Sequence, residues 1–130
     1  MRQRSDDAAG TTPDELLSAL EDLVAALEEN IARNREAIKR ARNIQRMRRQ
    51  GRPYTEIVQV RDDRLIIELL RQNLDALYDA GSRLRRLEAL ALHTEGMTME
   101  EIARIFGVSR QRISALIRDA RTSANLPSSS

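Results

Sequence analysis

The chain has 130 residues and a mass of 14.8 kDa, about the size of one domain. Aromatic residues make up 2% of the sequence and charged residues 32%, which is typical of long amphipathic helices and unlike a β-sandwich or barrel. There is no cysteine and only one histidine, which excludes disulfides, thiol catalysis and any multi-histidine metal site within one chain. We therefore expect an all-α protein without a metal or other cofactor.

The hydropathy pattern excludes a membrane-spanning protein. No apolar run approaches the roughly 18–20 residues that cross a bilayer. The first ten residues, MRQRSDDAAG, have no apolar segment behind their charges, so we expect no secretory signal. The expected location is the cytoplasm, without membrane contact.

A long helix is predicted from residue 13 onward. Thr12 is the expected N-cap, Pro13 fits the first helical position and Glu15 suits a capping box. Residues 1–12 are predicted to be a disordered N-terminus. After the helix start, apolar residues recur at spacings of four, three, four and four. This narrow stripe is typical of a helix-pairing seam, and we expect it to be the dimer seam: Leu16, Leu20, Leu23, Leu27 and Ile31.

Two shorter helices are expected after the long one. Residues 53–61 follow a Gly/Pro break and are rich in β-branched residues, which favours an extended connection or a turn. Helices are predicted over residues 62–79 and 83–95, separated by a break at Ala80-Gly81-Ser82. We expect residues 13–79 to form an antiparallel helical hairpin or coiled-coil arm for dimerisation. Asn30 and Asn34, on or beside the stripe, could fix its register.

The net charge of +2 conceals an uneven distribution. Residues 1–30 hold eight acidic and two basic residues, whereas residues 31–52 hold nine basic residues and one acidic residue. Counted together, the nine basic side chains spread around the helix, which favours a solvated face. Contact with DNA phosphates and pairing with acidic residues 14–29 or with a partner's acidic helix are the alternatives. The basic patch that could meet DNA comprises Arg33, Lys39, Arg40, Arg42, Arg46 and Arg49.

The stretch from Thr98 to Arg118 has the spacing of a helix-turn-helix. Thr98 and Glu101 form a capping box that opens a short helix, and the small Ala103 suits a close helix crossing. Gly107 stands where a tight turn needs a residue with positive φ. Together these signals favour a helix-turn-helix over an αα-hairpin that only contacts protein.

The apolar residues of this stretch fall on inward faces. Val108 is predicted to plug the turn, and Ser109 to cap the second helix. The expected core residues are Ile102, Ala103, Phe106, Ile113, Leu116 and Ile117.

Residues 95–114, EGMTMEEIARIFGVSRQRIS, resemble the helix-turn-helix of bacterial transcription regulators, and in particular the fourth region of sigma factors. With the preceding helix the resemblance covers about residues 83–121, within a DNA-binding module predicted over residues 83–122. Residues 123–130 are expected to be a flexible tail. The N-terminal two-thirds lack an aromatic-rich promoter-melting region, so a complete sigma factor is not expected.

The resemblance implies that the helix over residues 109–121 enters the major groove of duplex DNA with its N-terminal residues at base edges. Arg pairs bidentately with guanine and Gln with adenine, so the base-contacting candidates are Arg110, Gln111 and Ser114. The candidates for phosphate contact are Arg104, Ser109, Arg112, Arg118 and Arg121.

These expectations lead to a homodimeric, sequence-specific transcription regulator at the nucleoid, without enzymatic activity. Two half-sites about one helical turn apart would double the base readout of a single module. One alternative is an adaptor that binds RNA polymerase or another transcription protein through its helical arm. The other is an architectural protein that coats DNA with low specificity. The sequence shows no phosphate-binding glycine loop and no nucleophile with a base partner, which argues against an enzyme.

Overall fold

The computed structural model describes residues 11–125. In that range it contains five helices and no strand: α1 (Thr11–Arg49), α2 (Tyr54–Ile57), α3 (Arg61–Thr94), α4 (Met99–Phe106) and α5 (Arg110–Asn125). The predicted all-α fold, with a long helical arm and a C-terminal helix-turn-helix module, is confirmed. The predictions for residues 1–10 and 126–130 lie outside the described residues. None of the described helices has both the length and the apolarity that a membrane crossing requires.

The start of α1 is not fixed by the described residues, because the first of them, Thr11, is already helical. Thr12 lies within the helix, whereas the prediction made it the N-cap. The end of α1 is where the Gly/Pro break predicted it. Gly51 has a φ of 84°, and its amide bonds to the Arg48 carbonyl at 3.0 Å, which closes the helix end.

The connection after α1 contains the short helix α2 with turns before and after it. Of the two predicted alternatives, an extended segment or a turn, the extended segment is therefore wrong. Pro53 supplies a φ of −66°, and its carbonyl accepts hydrogen bonds from the amides of Glu56 at 3.0 Å and Ile57 at 3.2 Å. The Ile57 side chain is completely buried. Burial of that side chain outweighs the low helix propensity of the β-branched residues around it.

Helix α3 runs through Gly81 without a break, so the two helices predicted over residues 62–79 and 83–95 are one. Gly81 is not among the glycines with positive φ. A glycine inside a helix costs only about 1 kcal/mol relative to alanine. The residues that follow, including Leu87 and Ala89, are buried, and their packing outweighs the local helix-breaking signal.

The chain divides into two compact units, and the first contains the described residues up to Leu23 together with those from Ala80 onward. Its largest fully buried side chains are Ile102, Ile113 and Ile117. Small residues are buried among them, which lets the helices approach closely. These small residues are Ala19, Ala89, Ala91, Ala103 and Ala120.

Helix α1 supplies part of this core. Ala19 is only 1% exposed and Leu16 packs half-buried against the cluster. Leu16 therefore packs within its own chain, although the prediction placed it in the dimer seam. The Asp22 carboxylate and the Arg83 guanidinium form an ion pair in the same unit.

The second unit, residues 24–79, is an antiparallel helical hairpin. Arg40 on α1 donates to Asp62 on α3, whereas Arg33, earlier on α1, donates to Asn73, later on α3. Contacts that advance along one helix therefore recede along the other. The buried apolar residues of this unit are Ala37, Met47 and Ile57.

A polar layer crosses the hairpin at Asn73. This side chain is 6% exposed, accepts a hydrogen bond from Arg33 Nε and donates one to Asn34 Oδ1 at 2.8 Å. A slip of one helix along the other would separate these partners and leave a buried amide unsatisfied, which costs about 1–3 kcal/mol. The layer therefore fixes the register of the hairpin, and Asn34 takes part in it.

The Asp62 carboxylate connects the start of α3 to α1. It accepts hydrogen bonds from Asn43 Nδ2 and Arg40 Nη1, both at 2.7 Å. The hydrogen bond from Asn43, together with the bond and the charge of Arg40, lowers the pKa of Asp62.

We expect acid to weaken the hairpin through Asp62. Its folded-state pKa lies below the unfolded value of about 4, so the carboxylate stabilises the fold above that pH. The contribution is lost as pH falls through the folded-state pKa. Asp62→Asn should lower stability at neutral pH and flatten the stability profile between about pH 5 and pH 2. Urea unfolding followed by circular dichroism measures this.

The matched control is Asp75→Asn, because Asp75 is exposed and its ion pair with Arg71 is long, at 3.9 Å. This control should leave the acid dependence of the wild type in place. Equal acid dependence in the two variants would contradict the role assigned to Asp62.

Candidate nucleic-acid interface

Helix α4 begins at the predicted capping box. Thr98 Oγ1 accepts from the Glu101 amide at 3.1 Å, and Glu101 Oε1 accepts from the Thr98 amide at 2.8 Å. The bond from the Thr98 backbone lowers the pKa of Glu101. The box satisfies two amides at the helix start and fixes where the helix-turn-helix begins.

The turn between α4 and α5 is built on Gly107, which has the predicted positive φ, 70°. Its amide bonds to the Arg104 carbonyl at 3.3 Å, and the Val108 amide bonds to the Ala103 carbonyl at 3.1 Å. The Val108 side chain is 41% exposed, so the prediction that it plugs the turn is wrong. The backbone amide of Val108 closes the turn, and its side chain is only partly covered.

Helix α5 begins at the predicted cap. Ser109 Oγ accepts from the Arg112 amide at 3.0 Å, and the Ser109 carbonyl accepts from the Ile113 amide at 3.2 Å. Because the cap fixes the first turn, it also fixes which side chains at this end of the helix point outward.

The two faces of α5 are sharply different. The predicted core residues Ile113, Leu116 and Ile117 are buried. Gln111 and Arg118 are exposed, and their separation of seven residues places both on the side opposite Ile113. Ser114 is half-buried at the edge of this outer face. The outer face of α5 therefore presents an amide and a guanidinium two turns apart.

Arg110 lies toward α4. Its Nε is 3.4 Å from Glu100 Oε2, and both side chains are mostly exposed. An exposed ion pair of this kind contributes about 0–1 kcal/mol. Arg110 can therefore exchange Glu100 for a base edge or a phosphate at little cost. No local motif in the sequence marks Glu100 as a partner of Arg110.

The other residues predicted to contact phosphate lie on α4, on α5 and at the cap between them. Arg104, Ser109, Arg112 and Arg121 are all exposed. A further cation, Arg85, lies over the Phe106 ring at 4.2 Å from its centre. Phe106 is half-buried, so this guanidinium covers the part of the ring that the core leaves open.

The predicted basic patch divides into two groups. Arg33 and Arg40 bond to Asn73 and Asp62 across the hairpin, so for these two residues the alternative of DNA contact does not hold. They share the face of α1 that packs on α3. The remaining members are exposed, and these are Lys39, Arg42, Arg46 and Arg49.

The predicted dimer seam also divides. Leu20, Leu27 and Ile31 are exposed, whereas Leu16 and Leu23 are half-buried. Among the described residues there is no group of three acidic or histidine side chains that could hold a metal ion.

Residues 80–126 match a family model described as a homeodomain-like domain, which covers a little over a third of the chain. The match supports a helix-turn-helix DNA-binding module in the region where the capping box, turn and second cap lie. Comparisons with curated proteins and with solved structures give no significant match. The finer resemblance to the fourth region of sigma factors stays a prediction.

Backbone geometry predicts opposite effects for substitutions at two glycines, Gly107 in the turn and Gly81 inside α3. Gly107→Ala places a side chain at a φ of 70°, which should cost about 1–2 kcal/mol. Gly81→Ala adds a methyl group with no atom within 4 Å of it, and it should stabilise the protein by about 0.5–1 kcal/mol. Urea unfolding followed by circular dichroism measures both.

The two variants control for each other because the chemical change is identical. A Gly107→Ala protein as stable as the wild type would show that the turn does not require left-handed backbone. A loss of stability in Gly81→Ala would show that α3 is interrupted at that position.

Proposed function

We propose that the protein is a transcription regulator that binds duplex DNA sequence-specifically as a homodimer at the nucleoid. The observation that carries the proposal is the outer face of α5, which presents Gln111 and Arg118 beside a capped helix start on a module of DNA-binding type. Helix-turn-helix proteins insert this second helix into the major groove.

The roles of the side chains follow from their chemistry. Gln111 can bond bidentately to adenine, Arg110 can pair with guanine after leaving Glu100, and Ser114 can reach a base or a phosphate one turn further on. The guanidinium groups at the rim position the module on the backbone without reading sequence. The proposed rim residues are Arg104, Arg112 and Arg121, with Arg118 on the outer face itself and the amides at Ser109 as further phosphate contacts.

The second unit supports dimerisation because it exposes many large apolar side chains on both helices. On α1 these are Val24, Leu27, Ile31 and Ile38; on α3 they are Ile67, Leu70, Leu74 and Tyr78, exposed by 43 to 74%. Large exposed apolar surfaces are uncommon on monomers, and this supports the proposal of a dimer.

The two sets of apolar residues lie on the same side of the hairpin. At about 100° per residue, each set is rotated in the same sense from the face through which its helix packs. Because α1 and α3 are antiparallel, rotations of the same sense bring both sets to one side. We propose that a second copy of the hairpin covers this side, which would give a four-helix arrangement.

The proposed readout predicts that Arg110→Ala with Gln111→Ala removes sequence preference and leaves nonspecific binding. Each lost base contact should cost about 1–3 kcal/mol of specific affinity. The preferred site is first obtained by selection from a random duplex library at two salt concentrations. Affinities for that site and for a scrambled duplex are then compared by fluorescence anisotropy.

The chain offers a matched control in Arg71→Ala with Gln72→Ala, an exposed Arg-Gln pair on α3 in the second unit. The control should keep the full preference. If the Arg110 and Gln111 variant keeps it as well, α5 is not the reading helix. No retention of any duplex by the wild type would favour the adaptor, and retention without an enriched motif would favour the coating protein.

The dimer proposal predicts that charge on the apolar side separates the copies. Ile31→Glu with Leu74→Glu should shift the mass in sedimentation equilibrium from dimer to monomer, because each carboxylate would have to be buried without a partner. Ile105→Glu is the control, since Ile105 is an equally exposed apolar residue in the first unit. A wild-type protein that is monomeric at micromolar concentration would contradict the dimer.

A further inference from the structure

Five cationic side chains form a single stripe along α1 in the second unit. Arg35, Lys39, Arg42, Arg46 and Arg49 follow one another at spacings of four, three, four and three, so they share one face of the helix. All five are exposed. At a rise of 1.5 Å per residue this basic stripe is about 21 Å long.

The basic stripe lies opposite the face that holds the hairpin together. Ala37 and Met47 are buried against the rest of the unit, and Arg33 and Arg40 point to the same side to bond with α3. In the part of the chain that the structure describes, none of the five cations bonds directly to α3. Lys39 acts on Asp62 only through its charge, and Arg46 is connected to Asp62 only through Asn43. The packing of the hairpin therefore does not account for the positions of Arg35, Arg42 and Arg49.

The stripe lacks the acidic partners that other basic residues of this unit have. Arg40 pairs with Glu36 and with Asp62, and Arg52 pairs with Glu56. Among the described residues, no carboxylate lies within ion-pair distance of any of the five cations. Arg46 bonds only to the neutral Asn43 side chain.

This arrangement opposes the stability of its own helix. Consecutive members of the stripe are like-charged neighbours at three or four residues' spacing, and such pairs destabilise a helix. The helix dipole favours cations only in the last turn, which accounts for Arg46 and Arg49. Arg35, Lys39 and Arg42 lie further from that end, so the repulsion among them is not offset within the helix.

We infer that the basic stripe binds the phosphate backbone of a nucleic acid. Five charges about 5 Å apart along a line suit a continuous polyanion better than a single carboxylate or a small anion. Four of the five are arginine, whose fork of N–H donors matches phosphate geometry. This contact is separate from α5 and reads no sequence, and it rests on the proposed function only in taking DNA as the available nucleic acid.

The rival partner is the acidic part of α1 from a second copy. Glu21 and Glu28 fall in the same helical register as the stripe. They offer two carboxylates to five cations, which leaves three charges without a counter-charge. The phosphate backbone supplies one charge for each, so the observations favour it.

The experiment replaces all five residues by glutamine: Arg35→Gln, Lys39→Gln, Arg42→Gln, Arg46→Gln and Arg49→Gln. The matched control removes five other exposed cations of the same unit: Arg48→Gln, Arg52→Gln, Arg61→Gln, Arg64→Gln and Arg71→Gln. Both variants lose the same net charge. Affinity for a random duplex of about 30 base pairs is measured by fluorescence anisotropy between about 50 and 200 mM salt.

Each phosphate contact contributes about 0.9 to the slope of log affinity against log salt. If the stripe makes three to five phosphate contacts, the slope measured for the stripe variant should be smaller than the wild-type slope by about 3–4.5. The wild type should then weaken about 50- to 500-fold more than the stripe variant across this salt range. The control should keep its slope to within about 1.

A stripe variant with the slope of the control would overturn the inference. The inference would also be overturned if the stripe variant kept the wild-type slope and became monomeric in sedimentation. That result would mean that the stripe contacts a second copy of the chain. If the fivefold variant loses helical content, Lys39→Gln with Arg42→Gln and Arg46→Gln replaces it, with an expected slope change of about 2–3.

The Arg110→Ala, Gln111→Ala protein is measured in the same series to separate the two proposals. It should lose sequence preference and keep the salt slope that the stripe provides. If the Arg110 and Gln111 variant keeps its sequence preference while the stripe variant loses salt slope, α5 is not the reading helix, but the stripe still binds phosphate. If preference is lost as expected and the stripe variant binds like the control, only the stripe is wrong.

Discussion

The left-handed backbone at Gly107 sets the direction in which α5 leaves α4, and the exposed chemistry of the module follows from that direction. Hydrogen bonds from Gly107 and Val108 close the turn onto the carbonyls of α4, and Ser109 then fixes the first turn of α5. With Ile113, Leu116 and Ile117 drawn into the core, Gln111 and Arg118 are left on the opposite side of the helix. The polar face of α5 is thus a consequence of backbone geometry and apolar burial.

The helix-turn-helix could be predicted from sequence because its determinants act over short distances. The capping box joins Thr98 to Glu101, and Ser109 caps a helix that begins at the next residue. The predictions were wrong where packing against residues distant in sequence determines the local structure. Gly81 has the local signature of a break but lies in a helix with buried residues beyond it, and the β-branched segment after Pro53 became helical as Ile57 was buried.

The basic segment shows a different limit. Taken together, the nine cations spread around the helix, although helical spacing alone places five of them on one face. The sequence could therefore have yielded the stripe. It could not have shown that Arg33 and Arg40 are taken up by Asn73 and Asp62, because those partners lie about twenty to forty residues away on another helix. The partners of the Arg110–Glu100 pair are closer in sequence, but the pair depends on the turn that brings the two side chains together.

The polar layer at Asn73 separates two properties that a purely apolar hairpin would combine. In an apolar pair, the residues that hold the helices together also determine how they align, so any change of surface risks a shift of one helix along the other. Here alignment depends on the buried Asn73 amide, which bonds to Arg33 and to Asn34. The outward side chains are therefore free to diverge among descendants of this sequence, and new partners could be acquired while the two helices keep the same alignment.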